Sequence, residues 1–450
     1  MPGTRTIDDS EMLQVAARVL VGRDVEGWLV GGSVRDRELG CPAPDLDLVV
    51  AGDPAAVAGD IALALDVPWF ALSERHRAFR VVGRQGHVDV AAIRGGGILA
   101  DLAQRDFTVN AMALPVVGGS GLIDPFGGLA DLHARRLVAV SDHVFSDDPL
   151  RLMRAPRFSH TLGLALESKL VDALRMRAPD LLRAAPERVA AEIIATLSVG
   201  RAGEAVRLWD ELALLTVIVP EVADGGDLSR IVAMLDRLES LLADPWGWFA
   251  DAGFALGARL DLRVDGAVDR MVGLRIAGLV SGLSPGQARA VGHRLRFSAA
   301  MVSLLGAATG ASRYGRVEEE LPVVLSGAGI GPGRDAVLFL WDAAPWEPET
   351  ILLATAWAIA AADGVPADAS SSSASARSRA RALMALWAER AASGAPLWPF
   401  DGTSLMRDLG LAPGPELGKA LRAARLAWEA GEAPTAVEAL AAAREAICRP

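Results

Sequence analysis

Apolar and polar residues follow two different periods along the chain, and the change falls near residue 140. Before it, short apolar runs separated by glycine turns predict strands near Trp69 and over 27–30, 46–51, 80–82 and 87–92. Helices are predicted over 10–22 and 32–39. After it, nearly every segment is rich in Leu, Ala and Arg at helical spacing. The pattern predicts an α+β fold in which a sheet-containing head precedes an all-helical remainder.

A low-complexity stretch, 369–379, interrupts the helical part. Its run of serines is typical of a flexible connection, so we expect a linker there, followed by a smaller helical tail. A chain of 450 residues is too long for one core and is expected to form two to four domains.

Composition excludes several classes of protein. No apolar run reaches the ~18 residues that span a bilayer, and the N-terminus lacks the apolar core of a secretory signal. The two cysteines, Cys41 and Cys448, are too few for a disulfide framework or a four-cysteine zinc site. We therefore expect a protein of the reducing cytoplasm with no membrane association.

The net charge of −11 argues against a nucleic-acid partner, because phosphate contacts favour basic proteins. The charge is unevenly distributed, however. Ten basic and six acidic residues occur over 151–207, a local basic excess that a solvated helix could also produce.

The strongest local signal is a glycine turn followed by paired carboxylates. Gly31 and Gly32 end a predicted strand and begin a helix, where backbone N–H groups can approach a phosphate; Arg35 lies one turn later. Asp45 and Asp47 share one face of the next strand, where their mutual repulsion would be relieved by a cation. Alone, Asp-x-Asp is more often a solvated strand end, but the upstream glycine turn favours a metal site.

Three further segments place polar residues among apolar ones. Asp89 is either a third carboxylate on a neighbouring strand or an ordinary exposed residue. Arg105, Asp106 and Asn110 need polar partners if buried, which either a nucleotide or internal pairing would supply. Farther along, Asp148 precedes arginines that recur every three residues on one helical face, an arrangement also typical of a surface ion pair: Arg151, Arg154 and Arg157.

Together these segments resemble the tRNA nucleotidyltransferase and bacterial poly(A) polymerase family, a branch of the polymerase-β-like nucleotidyltransferases. The resemblance rests on Leu-Val-Gly-Gly-x-Val-Arg-Asp before Asp-x-Asp, and on Arg-Asp-Phe-Thr-Val-Asn-Ala-Met-Ala. Weaker similarities lie at Asp124-Pro-Phe-Gly-Gly, at Pro186-Glu-Arg-Val-Ala-Ala-Glu and, in the tail, at Asp401-Gly-Thr-Ser and Pro413-Gly-Pro. Resemblance is thin from about 225 to 395.

The resemblance implies a head over 1–140, a neck over 141–205, a body over 206–370 and a tRNA-binding tail over 371–450. It implies that Asp45 and Asp47 bind two catalytic Mg²⁺ ions, which Mn²⁺ could replace. The place of Asp89 on a neighbouring strand makes it the candidate for a third catalytic carboxylate. The nucleotide, CTP or ATP, would be held by Gly31, Gly32, Arg35, Arg105, Asp106, Asn110, Arg154 and Arg157. Asp148 and Arg151 would read its base. The implied activity is addition of C and A to the 3′ end of tRNA.

This chain departs from the family pattern at several positions. Gln104 and Asp147 replace the usual arginine and glutamate, and Pro156 falls between Arg154 and Arg157, where an internal proline tends to kink a helix. No His-Asp dipeptide is present, so we expect no HD phosphohydrolase activity.

Other functions stay open. A poly(A) polymerase is one, although the tail motif favours tRNA. A CC-adding or A-adding enzyme is another, because only the stretch 90–104 separates Asp89 from Arg105, and the family's loop for switching from C to A lies there. An inactive RNA-binding homologue would have lost a metal aspartate. A dinucleotide-binding oxidoreductase would need a different glycine fingerprint.

Overall fold

The computed structural model describes residues 9–41, 45–74, 77–83, 86–119, 121–225, 228–315, 320–324, 331–363, 370–394, 398–400 and 402–448. The chain divides into two compact units, 1–184 and 185–450. The predicted α+β class is confirmed, since strands lie in the first unit and the second is helical. The division into head, neck, body and tail remains a prediction.

The first unit contains a mixed sheet whose strand order is β3-β4-β5-β2-β1-β6. Its elements up to the last of these strands are α1 (Asp9–Arg23), β1 (Gly27–Val30), α2 (Gly32–Glu38), β2 (Asp45–Val50), α3 (Pro54–Leu65), β3 (Trp69–Ser73), β4 (Ala78–Val82), β5 (His87–Ala92), α4 (Ile98–Ala103), a 3₁₀ turn (Thr108–Asn110) and β6 (Ala113–Pro115). The strands predicted over 27–30 and 87–92 are confirmed residue for residue.

Part of the core of this unit lies on the face of the sheet that packs against α3. Leu46 and Leu48 of β2, Val88 and Val90 of β5 and Ile61 of α3 are each no more than 1% exposed. Because successive side chains of a strand project to opposite faces, Asp45, Asp47 and Asp89 lie on the other face. The apolar pattern of β2 and β5 therefore places the carboxylates where a ligand can reach them.

After the sheet, the first unit continues as short helices and two short strands. They are α5 (Gly128–His133), β7 (Arg136–Leu137), α6 (Val144–Asp147), α7 (Arg151–Leu162), β8 (Ala165–Leu166), α8 (Ser168–Arg177) and a 3₁₀ stretch (Ala178–Arg183), with β7 and β8 paired in parallel. Asp124, of the Asp-Pro-Phe-Gly-Gly segment, accepts hydrogen bonds from the Gly128 and Leu129 N–H groups at 2.7 and 3.0 Å at the start of α5.

The second unit is an assembly of helices. They are α9 (Pro186–Leu197), α10 (Ala202–Glu211), α11 (Leu215–Ile218), α12 (Pro220–Gly225), α13 (Leu228–Ala243), α14 (Pro245–Phe249), α15 (Ala252–Leu260), α16 (Arg270–Val280), α17 (Pro285–Arg294), α18 (Ala299–Ala308), a 3₁₀ stretch (Thr309–Gly315), α19 (Arg334–Ala343), α20 (Glu347–Asp363), α21 (Ser370–Ser393), α22 (Gly402–Leu409), α23 (Pro415–Glu429) and α24 (Ala436–Cys448). Buried Trp209, Leu235 and Leu238 belong to its core. No helix in the described parts of the chain is both long and apolar enough to cross a membrane.

The expected flexible linker over 369–379 is wrong from Ser370 onward; Ala369 itself, like Asp401 of the tail motif, lies outside the described residues. The stretch begins α21 because its alanines and arginines favour a helix and its arginines find partners. The guanidinium carbon of Arg377 lies 4.1 Å from the Trp248 ring centroid, and Arg379 Nη1 donates to the Leu321 carbonyl at 2.9 Å.

Gly128 offers a test of the packing between α5 and the 3₁₀ turn. A Cβ at this position would lie 2.1 Å from the Thr108 carbonyl oxygen, which is backbone and cannot rotate away. We expect Gly128→Ala to lower the free energy of unfolding by about 2 kcal/mol or more. Gly22, in α1, has nothing within 4 Å, and Gly22→Ala should be neutral or stabilise by up to ~1 kcal/mol. Urea unfolding of both variants checks this; equal stabilities would contradict the close approach.

Candidate active site

The carboxylates of the sheet lie in adjacent strands. β2 and β5 are parallel, and their register sets Asp47 opposite Asp89 and Asp45 opposite His87. His87 Nδ1 lies 2.6 Å from Asp45 Oδ1. Arg80 donates two hydrogen bonds of 2.7 Å to the carboxylate of Asp89. The carboxylate of Asp47 accepts no hydrogen bond from the described residues.

Burial raises the pKa of Asp47, and the charges of Asp89 and Asp45 raise it further, whereas Arg105 and His87 act in the opposite direction. A carboxylate that is half-buried, lacks a hydrogen bond and is repelled by its neighbours is stabilised by a cation.

Gly31, Gly32 and Ser33 set the position of Asp47. The Ser33 hydroxyl donates to the Asp45 carbonyl at 3.1 Å and accepts from the Asp47 N–H at 2.6 Å, which ties α2 to β2. Gly31 has φ 65°, and a Cβ there would lie 2.9 Å from Arg105 Nη1 and 3.3 Å from Asp47 Oδ2. Both the backbone conformation and the close approach therefore require glycine.

A cavity of about 390 Å³ opens beside these residues. Among the described residues its walls are Gly31, Gly32, Arg35, Asp47, Arg94, Arg105, Asp106, Asn110, Asp148, Arg151, Arg154, Arg157 and Phe158. Six are arginines and three are aspartates, so the cavity carries a positive excess suited to an anionic ligand.

Asp106 connects the walls of the cavity. It is 5% exposed, and its carboxylate accepts from the Phe107 N–H at 2.8 Å, from Asn110 Nδ2 at 3.1 Å and from Arg154 Nε at 2.7 Å. Asn110 Oδ1 in turn accepts from Arg35 Nη1 at 2.7 Å. One buried carboxylate thus links the 3₁₀ turn, α2 and α7. Burial alone would raise the pKa of Asp106, but Arg154 and the hydrogen bonds outweigh it and hold this pKa below its usual value.

Asp101 fixes two arginines of the cavity. It is fully buried, Arg94 Nε donates to it at 2.9 Å, and Arg105 donates through Nε and Nη2 at 3.1 and 3.0 Å. Burial would raise the pKa of Asp101, but these ion pairs outweigh it and lower the pKa. The guanidinium groups are thereby oriented before any ligand binds.

Phe158 organises the arginines of the opposite wall. Guanidinium carbons of Arg157, Arg154 and Arg35 lie 4.2, 5.3 and 5.4 Å from its ring centroid. Cation–π attraction offsets part of the repulsion among three cations. Pro156 lies within α7 and does not end the helix. Arg157, which follows it, lines the cavity as the family resemblance implies.

Asp148 and Arg151 lie at the start of α7, and both line the cavity. Asp148 Oδ1 accepts from the Leu150 N–H at 3.1 Å. Arg151 donates to the carbonyls of Gln104 at 2.6 Å and Val144 at 3.1 Å. Burial lowers the pKa of Arg151, and the nearby charges of Asp106 and Asp148 oppose this shift. Backbone contacts thus orient both side chains.

The aspartates fit a divalent cation. No three His, Cys, Asp or Glu side chains of the described residues converge as a preformed metal site. Mg²⁺ does not require one, because it keeps several waters and is bound through one or two carboxylates together with substrate phosphates. Asp47 meets that requirement, and Asp45 lies beside it on the same face with one oxygen engaged by His87.

The cavity brings together the predicted site residues except Asp45 and Asp89, which lie next to Asp47 but are engaged by His87 and Arg80. Their individual roles remain predictions. Sequence reasoning missed Arg94, Phe158, Asp101 and Ser33. Phe158 could have been found, because it directly follows Arg157 on α7. The other three could not, because their roles depend on contacts that only the fold creates.

Two family models match the chain. A poly A polymerase head domain matches residues 27–98 and 96–138, and a probable RNA- and SrmB-binding site of polymerase A matches residues 163–225. The first covers the glycine turn, the paired aspartates and the Asp106 segment. Both matches agree with the family resemblance that the sequence motifs carry.

Curated relatives that resemble the chain differ in the nucleotides that their names say they add. A CC-adding tRNA nucleotidyltransferase of Geobacter sulfurreducens is 36% identical over 219 residues, 48% of this chain and 50% of the relative. An A-adding tRNA nucleotidyltransferase of Deinococcus radiodurans is 37% identical over 207 residues, 45% and 47% of the two chains. A multifunctional CCA protein of Nitrosomonas europaea is 29% identical over 289 residues, 60% and 66% of the two chains. The chain spans about half the length of the first curated relatives it matches.

Solved structures resemble the fold over nearly the whole chain. A CCA-adding enzyme with ATP matches with TM-score 0.68 at 18% identity, over 96% of this chain and 94% of that one. A Thermotoga maritima CCA-adding enzyme complexed with tRNA matches with TM-score 0.59 at 18% identity, over 98% and 97%. At that identity the likeness shows a shared fold.

Asp106 yields a pH-dependent prediction. Because its folded pKa is depressed, its contribution to stability is present above its unfolded pKa of about 4 and is lost as pH falls through the folded value. We expect Asp106→Asn to lower the free energy of unfolding by about 1.5–3 kcal/mol at pH 7 and by less below pH ~4. Unfolding curves at several pH values measure this, with exposed Asp142→Asn as the control. A pH-independent difference would contradict the ion-pair role.

Proposed function

We propose that the protein is a template-independent tRNA nucleotidyltransferase that uses CTP and ATP to add C and A to the 3′ end of tRNA. The observation that carries this proposal is the single cavity shared by Asp47, the Gly31–Gly32 turn, the Arg105–Asp106–Asn110 segment and the Asp148–Arg151 pair. The names of the relatives support the tRNA substrate. A cytoplasmic location fits this role and remains part of the proposal.

Different residues of the cavity would bind the triphosphate and the ribose of the nucleotide. Arg105, fixed by Asp101, and Arg35, fixed by Asn110, present guanidinium groups near the glycine turn and would bind the triphosphate. Asp106 holds Asn110 and Arg154 in place by accepting a hydrogen bond from each. We therefore assign Asp106 mainly to positioning, and Asn110 to the ribose.

Asp45 and Asp47 would hold Mg²⁺, or Mn²⁺ in its place. When bound there, the metal supplies Lewis acidity that activates the RNA 3′-hydroxyl and neutralises charge on the α-phosphate and the departing pyrophosphate. Asp47 and Arg105 both lie beside Gly31. A bound triphosphate would therefore contact the metal ion held by Asp47 on one side and the Arg105 guanidinium on the other.

A narrower activity, addition of CC only, is favoured by one observation. β5 ends at Ala92 and α4 begins at Ile98, so the connection that precedes Arg105 is short and contains three consecutive glycines, 95–97. In this family that region carries the loop that helps to switch from C to A. A connection of this length leaves little chain to remodel the cavity for adenine.

Sizing of reaction products separates these activities. A tRNA lacking its 3′ CCA is incubated with CTP, with ATP or with both. Three added nucleotides only when both are present establish CCA addition, and two that require CTP alone establish CC addition. Long ATP-dependent tails on non-tRNA RNA would indicate a poly(A) polymerase. No addition to any RNA would overturn the proposal.

Asp47→Ala tests the metal assignment. We expect at least a ~1000-fold loss of kcat, equivalent to about 4 kcal/mol of transition-state stabilisation. Asp60→Ala is the control, because Asp60 is an exposed aspartate of the same unit that pairs with Arg23. Single-turnover rates at saturating Mg²⁺ measure the effect. Near-normal turnover of Asp47→Ala would remove this aspartate from the metal site.

Asp148→Ala tests base selection. A carboxylate only accepts hydrogen bonds and a guanidinium only donates them, which suits the amino group and ring nitrogen shared by cytosine and adenine. Uracil and guanine present a carbonyl oxygen where that amino group would be. We expect the preference for CTP over UTP to fall by about ten- to a hundredfold.

The matched control for this test is Asp147→Ala, since Asp147 is the exposed neighbour that does not line the cavity. Incorporation of all four nucleotides into one tRNA is compared between the variants. If Asp148→Ala keeps the original preference for CTP, the pair is only a helix-surface ion pair.

A further inference from the structure

A second cavity, of about 480 Å³, lies within the helical unit. It is bounded by the C-terminal end of α19, the middle of α23 and the segment 398–400. The described residues that line it are Trp341, Ala344, Trp398, Leu421, Arg422 and Arg425. Its volume falls in the range of about 300–1000 Å³ typical of ligand sites.

The walls combine aromatic rings with arginines. Guanidinium carbons of Arg422 and Arg425 lie 5.7 and 5.8 Å from the Trp341 ring centroid, so cations and ring share one wall. Trp398 also lines the cavity. Aromatic faces bind nucleobases by stacking, and arginines beside them bind the attached phosphate. The lining therefore suits a planar ring that carries a negative charge.

Buried contacts hold this wall in place. Glu429 is 3% exposed and accepts from Trp341 Nε1 at 3.0 Å, from Arg390 Nη1 at 3.0 Å and from Arg425 Nε at 2.9 Å. Trp398 makes edge contacts with Phe400 and Trp428, with ring centroids 5.3 and 6.3 Å apart. A site oriented in advance loses less conformational entropy when its ligand binds.

Arg422 is the part of the wall that can respond to a ligand. Its nearest acidic partner is Asp342 at 3.7 Å, and both side chains are more than 60% exposed. An exposed pair at this distance contributes little, so Arg422 can turn towards a phosphate at low cost.

We propose that this cavity is a second nucleotide-binding site, with the base against Trp341 and Trp398 and the phosphate against Arg422 and Arg425. The nucleotide is either an unstacked residue of a bound RNA or a free nucleoside monophosphate. The first source rests on the proposed function, whereas the second does not depend on it.

The test compares Trp398→Ala and Arg422→Gln with the control Arg334→Gln. The Arg334→Gln substitution also removes one positive charge. Arg334 lies on α19, pairs with Glu432 and is not among the described residues that line the cavity. Binding of AMP is measured by equilibrium dialysis and binding of a tRNA lacking CCA by filter retention, with KM for CTP as the readout of the catalytic cavity. Should Trp398→Ala fail to fold, the exposed Arg422→Gln carries the test.

We expect the affinity for tRNA or for AMP to fall at least about fivefold in both variants, with KM for CTP unchanged. A loss confined to tRNA identifies an RNA residue, and loss of one bound AMP per chain identifies a free nucleotide. Affinities for both probes that match those of the Arg334→Gln control would overturn the inference. Failure of the proposed function would appear separately, as an absence of nucleotide addition by the unaltered protein.

Discussion

The buried carboxylate of Asp106 is the contact on which the first unit's cavity depends. Arg35, Arg154 and Arg157 surround Phe158, and three cations so close together would separate without a counter-charge. Asp106 supplies that charge directly to Arg154 and, through Asn110, an acceptor to Arg35. It thereby joins segments 48 and 75 residues apart in sequence into one wall. The same contact explains why the Arg-Asp-Phe-Thr-Val-Asn motif reads as polar residues among buried ones.

Much of the head could be predicted from local pattern. The alternation of Asp45, Leu46, Asp47 and Leu48 determines which side chains face the core, and the glycine turn determines where α2 begins. The partners of individual residues could not be predicted in this way. Asp89 is held by Arg80 because β4 and β5 pair in that register, and Ser33 reaches Asp47 only because α2 packs on β2. The linker prediction failed because composition gave no sign that Trp248 would bind Arg377.

The two units place different physical demands on the sequence. Family models match 27–138 and 163–225, whereas the fold resembles solved structures over 96% of the chain at 18% identity. The cavity of the first unit requires particular residues at particular positions, such as a glycine without a Cβ at position 31. A helical core requires only apolar volume at the right spacing, which many combinations of leucine, alanine and tryptophan can fill. A shared fold is therefore compatible with low sequence identity.

The excess of arginines over aspartates around the cavity has a consequence for turnover. If the cavity binds a nucleoside triphosphate as proposed, its positive charge attracts this ligand to a protein whose net charge of −11 otherwise repels it, and so raises the rate of encounter. The same guanidinium groups would also retain pyrophosphate, which carries much of the charge of the triphosphate. Departure of this product is then slowed by the field that speeds the arrival of the nucleotide. Under the proposed function, the rate of successive additions is accordingly expected to be limited by product release rather than by bond formation.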